Sequence, residues 1–249
     1  MNSDTKSLGD IIFSNAKWKV KIPKYQRPYA WGLQQIEEFW DDIVQENPTL
    51  FLGPVIVNIE NKKGKDGFIE VVDGQQRLIT STILAAVIRD LYTLFGRVDL
   101  ATAIQGHFIS LKDLDLVDKG YRLTTGISTS NFFSEYIQKP DSSIENSIPT
   151  TKEEKRIKDN YISLKKLLER HIDSETTTEK KIKKISKVRD ILNDLMVIEI
   201  EINNDSEAYE IFERVNNYGI DLSLSDLLKN HILKNVNNPD VAHKTWYEI

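Results

Sequence analysis

The stretch EVVDGQQRLITST, residues 70–82, decides the fold because two secondary structures meet in it. The residues up to Val72 are mostly strand formers, and a largely apolar run without glycine or proline extends from Leu78 to Phe95. This pattern predicts a strand followed by a buried helix. Five polar or flexible residues, DGQQR, stand at the seam between the two buried elements.

Other segments complete an α+β pattern. PVIVNIE (54–60) and GFIEVV (67–72) flank a polar connection that contains glycine, which predicts a β-hairpin. MVIEIEI (196–202) alternates, which predicts a half-buried strand with Glu199 and Glu201 on the face opposite its apolar residues.

Apolar residues recur at helical spacing in LQQIEEFWDDIV (33–44) and over residues 157–172, and a further helix is predicted over 182–194. DSETTTEKK (173–181) is typical of a mobile linker between these helices.

We therefore expect an α+β fold, with a small mixed sheet that contains a hairpin and is surrounded by many helices. Residues 1–138 are predicted to form the core. Residues 139–249 are predicted to form a helical part with one late strand, packed on the same core. The closing residues HKTWYEI are not typical of a natural end, which favours an N-terminal piece of a longer protein.

Composition excludes several classes of site. The chain has 249 residues and no cysteine, so disulfides, thiolate zinc sites and cysteine nucleophiles are excluded. Its four histidines lack the spacing of a zinc site or a catalytic triad. With neither a signal peptide nor an apolar span long enough for a membrane, the sequence predicts a cytoplasmic protein without a membrane partner.

The net charge of −5 conceals a local basic segment. Residues 17–31 contain no acid and interleave basic with aromatic side chains, a pattern that can meet DNA phosphates and stack on bases. The predicted DNA contacts are Lys17, Lys19, Lys21, Lys24, Tyr29 and Trp31. The alternative is that the aromatic residues belong to the core and the lysines are solvated.

The seam itself has the chemistry of an anion site. A strand that turns through Gly74 into a helix presents backbone N–H groups that have no partner within the helix. Arg77 can bind a phosphate in bidentate fashion, the glutamines can orient a water, and Asp73 can hold Mg²⁺ or polarise a water. Equally, Asp73 can simply cap the helix and pair with Arg77 four residues on. The spacing is not that of a Walker A loop.

Four strings in order resemble a known family: IPKYQRPYAW (22–31), FLG (51–53), VVDGQQRL (71–78) and FERVNNYGIDLSLSDLLKN (212–230). Together they look like the N-terminal domain of GmrSD-type restriction systems, catalogued as domain of unknown function 262 and related to the ParB and sulfiredoxin fold. The likeness spans roughly residues 8–235. Ile79 stands where the family often has threonine, and nothing in the chain resembles the HNH-type nuclease domain that relatives commonly carry.

The resemblance implies an NTP-hydrolysing component of a type IV-like restriction endonuclease, active in defence against phage DNA that is often modified. Mg²⁺ and an NTP would be its cofactors, and an HNH-type nuclease domain or subunit its partner. By motif position, the implied catalytic residues are Asp73, Gln75, Gln76 and Arg77, with Asp73 also the metal ligand. The implied nucleotide-binding residues are Gly74, Tyr25, Gln26, Arg27, Asn216 and Asp226.

Two other functions stay open at this point. The chain can be a DNA-binding module without catalysis, in which DGQQR is only a structural turn. It can also be a nuclease in its own right through a ParB-like fold, although the sequence shows no compact cluster of carboxylates.

Overall fold

The computed structural model describes residues 2–13, 18–23, 26–45, 51–62, 67–112 and 118–203. The strands are β1 Asn2–Ser7, β2 Lys19–Lys21, β3 Phe51–Asn58, β4 Phe68–Asp73, β5 Ser110–Lys112, β6 Asp118–Tyr121, β7 Leu123–Thr124 and β8 Met196–Ile202. The α-helices are α1 Leu33–Val44, α2 Gln75–Leu94, α3 Val98–Ile104, α4 Ile127–Phe133, α5 Lys152–Asp173 and α6 Thr178–Asp194.

Six of these strands form one mixed sheet in the order β1-β8-β3-β4-β2-β7. The pairs β1–β8 and β3–β4 are antiparallel, whereas β8–β3, β4–β2 and β2–β7 are parallel. Strands β5 and β6 form a separate antiparallel pair. The predicted α+β class and the predicted hairpin, which is β3–β4, are confirmed. The likeness to the ParB and sulfiredoxin fold stays a prediction.

Helix α2 lies at the centre of the molecule. Nearly all of its 20 side chains are buried, and it packs against α3, α5 and α6. A helix that is apolar around most of its circumference needs partners on every side, and these helices provide them. The predicted buried helix is therefore confirmed, and the seam of residues 73–77 is fixed at the N-terminal end of the core helix.

The amphipathic helices also follow their sequence patterns. Helix α1 buries Ile36, Phe39, Trp40 and Ile43 on one face. Helix α5 starts with a capping box, in which the Thr151 hydroxyl accepts the Glu154 N–H while the Glu154 carboxylate accepts the Thr151 N–H.

Two expectations for the late part of the chain are wrong. Residues 173–181 do not form a long linker, because α5 continues to Asp173 and α6 already begins at Thr178. Strand β8 is not half-buried with its acids in solvent, because Glu199 is only 3% exposed. The reason is that β1 pairs with β8 along its whole length, and the Lys6 amine forms an ion pair with the Glu199 carboxylate.

Strand β8 comes from the predicted helical part of the chain, yet it lies in the sheet between β1 and β3. The two predicted parts therefore share one sheet. The division at residue 138 stays a prediction.

Candidate functional site

Gly74 makes the turn from β4 into α2 with φ of +95°. It is the residue immediately before the helix, and its carbonyl accepts the Leu78 N–H at 3.2 Å, the first bond of the helical ladder. A Cβ at this position would lie 3.0 Å from Val55 Cγ2 and 3.3 Å from the Pro54 carbonyl oxygen. Glycine is required here by both the backbone conformation and the close approach of β3.

A second glycine makes room for Arg77. The Arg77 Nη1 donates to the Pro54 carbonyl oxygen at 3.0 Å, which draws the guanidinium over β3. A Cβ at Gly53 would lie 3.2 Å from Arg77 Cζ, and Gly53 itself has φ of +107°. The string FLG at residues 51–53 therefore lies next to DGQQR in the fold, where its Gly53 leaves room for the Arg77 guanidinium.

The two glutamines of DGQQR bind the segment of residues 26–31. Gln76 Oε1 accepts the Ala30 N–H at 2.7 Å and the Trp31 N–H at 3.3 Å, and Gln76 Nε2 donates to the Pro28 carbonyl at 3.2 Å. Gln75 Nε2 donates to the Arg27 carbonyl at 2.9 Å. Both side chains are buried, so their structural role is to hold this segment against the start of α2.

Gln26 fixes the other end of the segment. Its Nε2 donates to the Val72 carbonyl oxygen at 2.9 Å, near the end of β4. Further along, the Tyr29 hydroxyl is 2.8 Å from the Thr80 hydroxyl. The consequence of these bonds is that Arg27, which lies between Gln26 and Pro28, is held next to the seam while its side chain stays exposed.

Arg27, Asp73 and Arg77 influence one another electrostatically. Burial raises the pKa of Asp73, and the charges of Arg77 and Arg27 oppose that rise. Burial lowers the pKa of Arg77, Asp73 counters this effect, and Arg27 adds to it. Among the described residues, the guanidinium groups of Arg27 and Arg77 and the carboxylate of Asp73 thus lie near the N-terminus of a 20-residue helix, where the helix dipole is also positive.

The family model described as "GmrSD restriction endonuclease, N-terminal domain" matches residues 8–233. The chain belongs to this family. No curated protein sequence matches it significantly. Family membership makes the protein a component of a restriction system, as the resemblance of its four strings implied.

In this GmrSD N-terminal domain, Asp73 is neither the capping residue of α2 nor in ion-pair contact with Arg77. The residue that caps α2 is Gly74, without a side-chain cap bond. Among the described residues, Arg77 has no carboxylate within 4 Å, and its guanidinium hydrogen-bonds to a backbone carbonyl. The Asp73–Arg77 pairing predicted as the alternative is therefore absent from this part of the chain.

The predicted DNA contacts are only partly compatible with the structure. Tyr29 is 1% exposed, so the prediction that it stacks on bases is wrong. Trp31 is half-buried and packs against Phe39, with ring centroids 6.2 Å apart. The Lys21 amine lies 3.6 Å from a Glu70 carboxylate oxygen and 4.4 Å from the centroid of the Phe68 ring. Lys19 is exposed on the same strand.

Five predicted residues lie outside the part of the chain that the structure describes. These are Lys17, Lys24, Tyr25, Asn216 and Asp226.

Sequence reasoning missed the contribution of α5. Asn160 Nδ2 donates to the Tyr29 hydroxyl at 2.9 Å and to the Trp31 carbonyl at 2.8 Å, and the Glu153 carboxylate accepts the Tyr29 N–H at 2.6 Å. A signal was present, because Asn160 is a polar residue on the apolar face that also carries Ile157. A buried amide on such a face needs hydrogen-bond partners, and here the partners are the motif segment.

Within the described ranges, no group of three or more His, Asp or Glu side chains is placed to hold a metal ion. In the same ranges, no helix is both long and apolar enough to span a membrane.

Proposed function

We propose that this domain binds and hydrolyses a nucleoside triphosphate, with the phosphates at the N-terminus of α2 between Arg27 and Arg77. The observation that carries the proposal is the convergence of these two cations: the glutamines of DGQQR hold the segment that carries Arg27, and the Pro54 carbonyl holds Arg77. The proposal adds nucleotide chemistry to the restriction role that family membership establishes.

The charge balance at the seam favours an anion. In the described part of the chain, the Asp73 carboxylate offsets one of the two guanidinium charges, and the remaining positive charge adds to the helix dipole. The N–H groups of Gln75, Gln76 and Arg77 precede the first bond of the helical ladder, so they have no partner within α2. Backbone donors, a positive dipole and arginine forks are the recurring elements of phosphate sites.

Within this site the residues have different roles. Arg27 and Arg77 bind phosphate oxygens, and Asp73, a half-buried carboxylate whose pKa is raised by burial, can accept a proton from a water. Gln75 and Gln76 position the site instead of orienting the attacking water as the sequence suggested, because their amides are buried and bonded to the backbone of residues 27–31.

One carboxylate fits Mg²⁺, which typically takes one or two protein carboxylates and completes its shell with waters and substrate phosphates. Asp73 is the residue that would hold it. When bound, Mg²⁺ supplies positive charge to the phosphates. Tyr25, Asn216 and Asp226 remain predicted nucleotide contacts.

In this proposal, hydrolysis gates DNA cleavage by an HNH-type nuclease domain or subunit, with phage DNA, in modified form, as the target. Support comes from the family, which is the N-terminal domain of a restriction endonuclease. The domain would act in the cytoplasm, where its nucleotide and invading DNA meet.

The test is nucleotide binding by a thermal-shift panel of NTPs with Mg²⁺, followed by phosphate release. Arg27→Gln and Arg77→Gln should each weaken binding by roughly 10- to 100-fold, the range for loss of a charge-assisted hydrogen bond. Arg97→Gln is the matched control, because it removes an arginine just beyond the other end of α2, where Arg97 pairs with Asp99. Asp73→Asn should abolish phosphate release while the NTP still binds.

Equal affinity in wild type, Arg27→Gln and Arg77→Gln would refute the assigned site. If no NTP binds and duplex DNA does, with an affinity that falls steeply with salt, the non-catalytic DNA-binding module replaces this proposal.

A further inference from the structure

We propose that two copies of this domain associate through β1, edge to edge and antiparallel, with Thr5 on the two-fold axis. Strand β1 is an edge strand that pairs with β8 in an unbroken register over six residues. Ser3, Asp4 and Thr5 are exposed, and no other described strand pairs with the second edge of β1. An open edge presents backbone groups that can pair with another strand.

The outward-facing residues of β1 are known from the ladder. The Leu8 N–H donates to the Leu195 carbonyl at 2.6 Å, and Leu8 and Leu195 continue the β1–β8 register. Hydrogen-bonded pairs alternate along an antiparallel ladder, so the even-numbered residues bond to β8 and the odd-numbered ones face outward. Ser3, Thr5 and Ser7 therefore offer their N–H and carbonyl groups to a partner.

Charge selects one register for self-pairing. When Thr5 faces Thr5 of the second copy, Ser3 of each copy faces Ser7 of the other. In the same register, Asp4 of each copy faces Lys6 of the other. A shift of two residues in one direction places Asp4 opposite Asp4, and the opposite shift places Lys6 opposite Lys6. Opposite charges in facing positions stabilise a strand pair and like charges destabilise it, so only the first arrangement is complementary.

Among the described residues, Asp4 forms no ion pair in the single copy, although Lys6, two residues on, is near enough to interact with its charge. Its facing residue in β8 is Glu199, a like charge, and Lys6 forms its ion pair with Glu199. Among the described residues, no cation lies within 4 Å of the Asp4 carboxylate. Lys6 of the second copy would supply that charge. Charged residues usually protect an edge strand from pairing, but in this register they attract.

The side chains that would meet on the other face are small. Ser3, Thr5 and Ser7 are neither bulky nor charged, and β1 contains no proline and no bulge. The opposite edge of the sheet is β7, which has only two residues. The predicted assembly is therefore a dimer with one continuous sheet, not an open chain of copies.

Cysteine cross-linking tests the register directly, because the chain has no cysteine of its own. Thr5→Cys should form a disulfide-linked dimer on mild oxidation, since facing hydrogen-bonded residues have Cα atoms about 5.5 Å apart. Ser3→Cys alone should not, because the two Ser3 positions would be offset by about 13 Å along the strands. A mixture of Ser3→Cys and Ser7→Cys should cross-link.

Two variants test the association in solution by sedimentation equilibrium over a concentration series. Wild type should shift from the chain mass of 28.7 kDa towards twice that value as concentration rises. Thr5→Pro should stay a monomer with an unchanged melting temperature, because the lost N–H faces outward and edge strands tolerate proline there. Asp4→Lys should weaken the dimer about tenfold or more.

Asp4→Lys also separates the interface from the fold. Within one copy, lysine at position 4 faces Glu199 and is favourable, so the melting temperature of the monomer should be kept or raised while the dimer weakens. A wild-type chain that stays monomeric at every concentration would overturn the proposal. So would preferential cross-linking of Ser3→Cys or Ser7→Cys with itself, since that would place another residue on the axis.

Discussion

Replacement of Gln76 by alanine tests whether the second glutamine of DGQQR holds the site together. The change removes three hydrogen bonds, to Ala30 N at 2.7 Å, Trp31 N at 3.3 Å and the Pro28 carbonyl at 3.2 Å. At about 0.5–1 kcal/mol net for each bond, plus about 0.5 kcal/mol for lost burial, the free energy of unfolding should fall by about 2–3.5 kcal/mol.

The assay is urea unfolding followed by tryptophan fluorescence, with the m-value expected to stay constant. Gln34→Ala is the matched control, because Gln34 is exposed on α1 and its side-chain hydrogen bond within the described part of the chain is to Glu38. It should change the free energy of unfolding by no more than about 0.5 kcal/mol.

Gln75→Ala should fall between these two variants. It removes one bond, from Gln75 Nε2 to the Arg27 carbonyl, but also removes a buried Oε1 that has no hydrogen-bond partner among the described residues. The loss is therefore about 1 kcal/mol or less. The proposed role of Gln76 in holding residues 28–31 is refuted if Gln76→Ala is as stable as Gln34→Ala, or if Gln75→Ala is the most destabilised of the three.

Three further variants test other parts of the site. Gly74→Ala should lower the free energy of unfolding by about 1–3 kcal/mol in urea unfolding, because φ is +95° and the new Cβ would meet Val55; a neutral result would contradict the turn geometry. Tyr29→Phe should cost about 1–2 kcal/mol in the same assay through loss of its bonds to Thr80 and Asn160, and an unchanged midpoint would rule out the buried hydroxyl network. Asp73→Asn tests how the Asp73 carboxyl makes stability depend on pH. Burial raises the pKa of Asp73, so its contribution to the free energy of unfolding is complete below the unfolded pKa near 3.8 and is lost as pH rises through the folded pKa. The stability of the asparagine variant relative to wild type should therefore increase over that pH range in parallel urea titrations, and a constant difference would count against the shift.

Much of the fold could be predicted because it follows hydrophobic periodicity. The hairpin, the buried α2 and the amphipathic α1 and α5 all carry their pattern within a single segment. Strand β1 carries none, since NSDTKS is polar and becomes a strand only through pairing with β8. That pairing also explains why the burial of Glu199 was missed, because a tertiary ion pair overrides local alternation.

The candidate site could be located from the sequence, but the separate roles of its glutamines and arginines could not be assigned. Strand, glycine and helix patterns predict a phosphate-compatible seam at residues 73–77, and the structure has a strand-to-helix turn through Gly74 there. Glutamine, however, has the same donors and acceptors whether it holds backbone or ligand. Only the coordinates show that Gln76 binds residues 28–31 while Arg27 stays exposed.

This division of roles explains why two distant strings have to be present together. DGQQR supplies the glutamines that hold the 26–31 segment, and that segment supplies the second arginine of the site. Asn160 then ties the same segment to α5, so the position of Arg27 depends on three separate parts of the chain. A change in the packing of α5 against α2 would therefore move one cation of the site relative to the other. Because Arg77 is anchored independently on Pro54, such a movement alters the spacing of the two guanidinium groups, which gives the helical part of the domain a physical route to influence the seam.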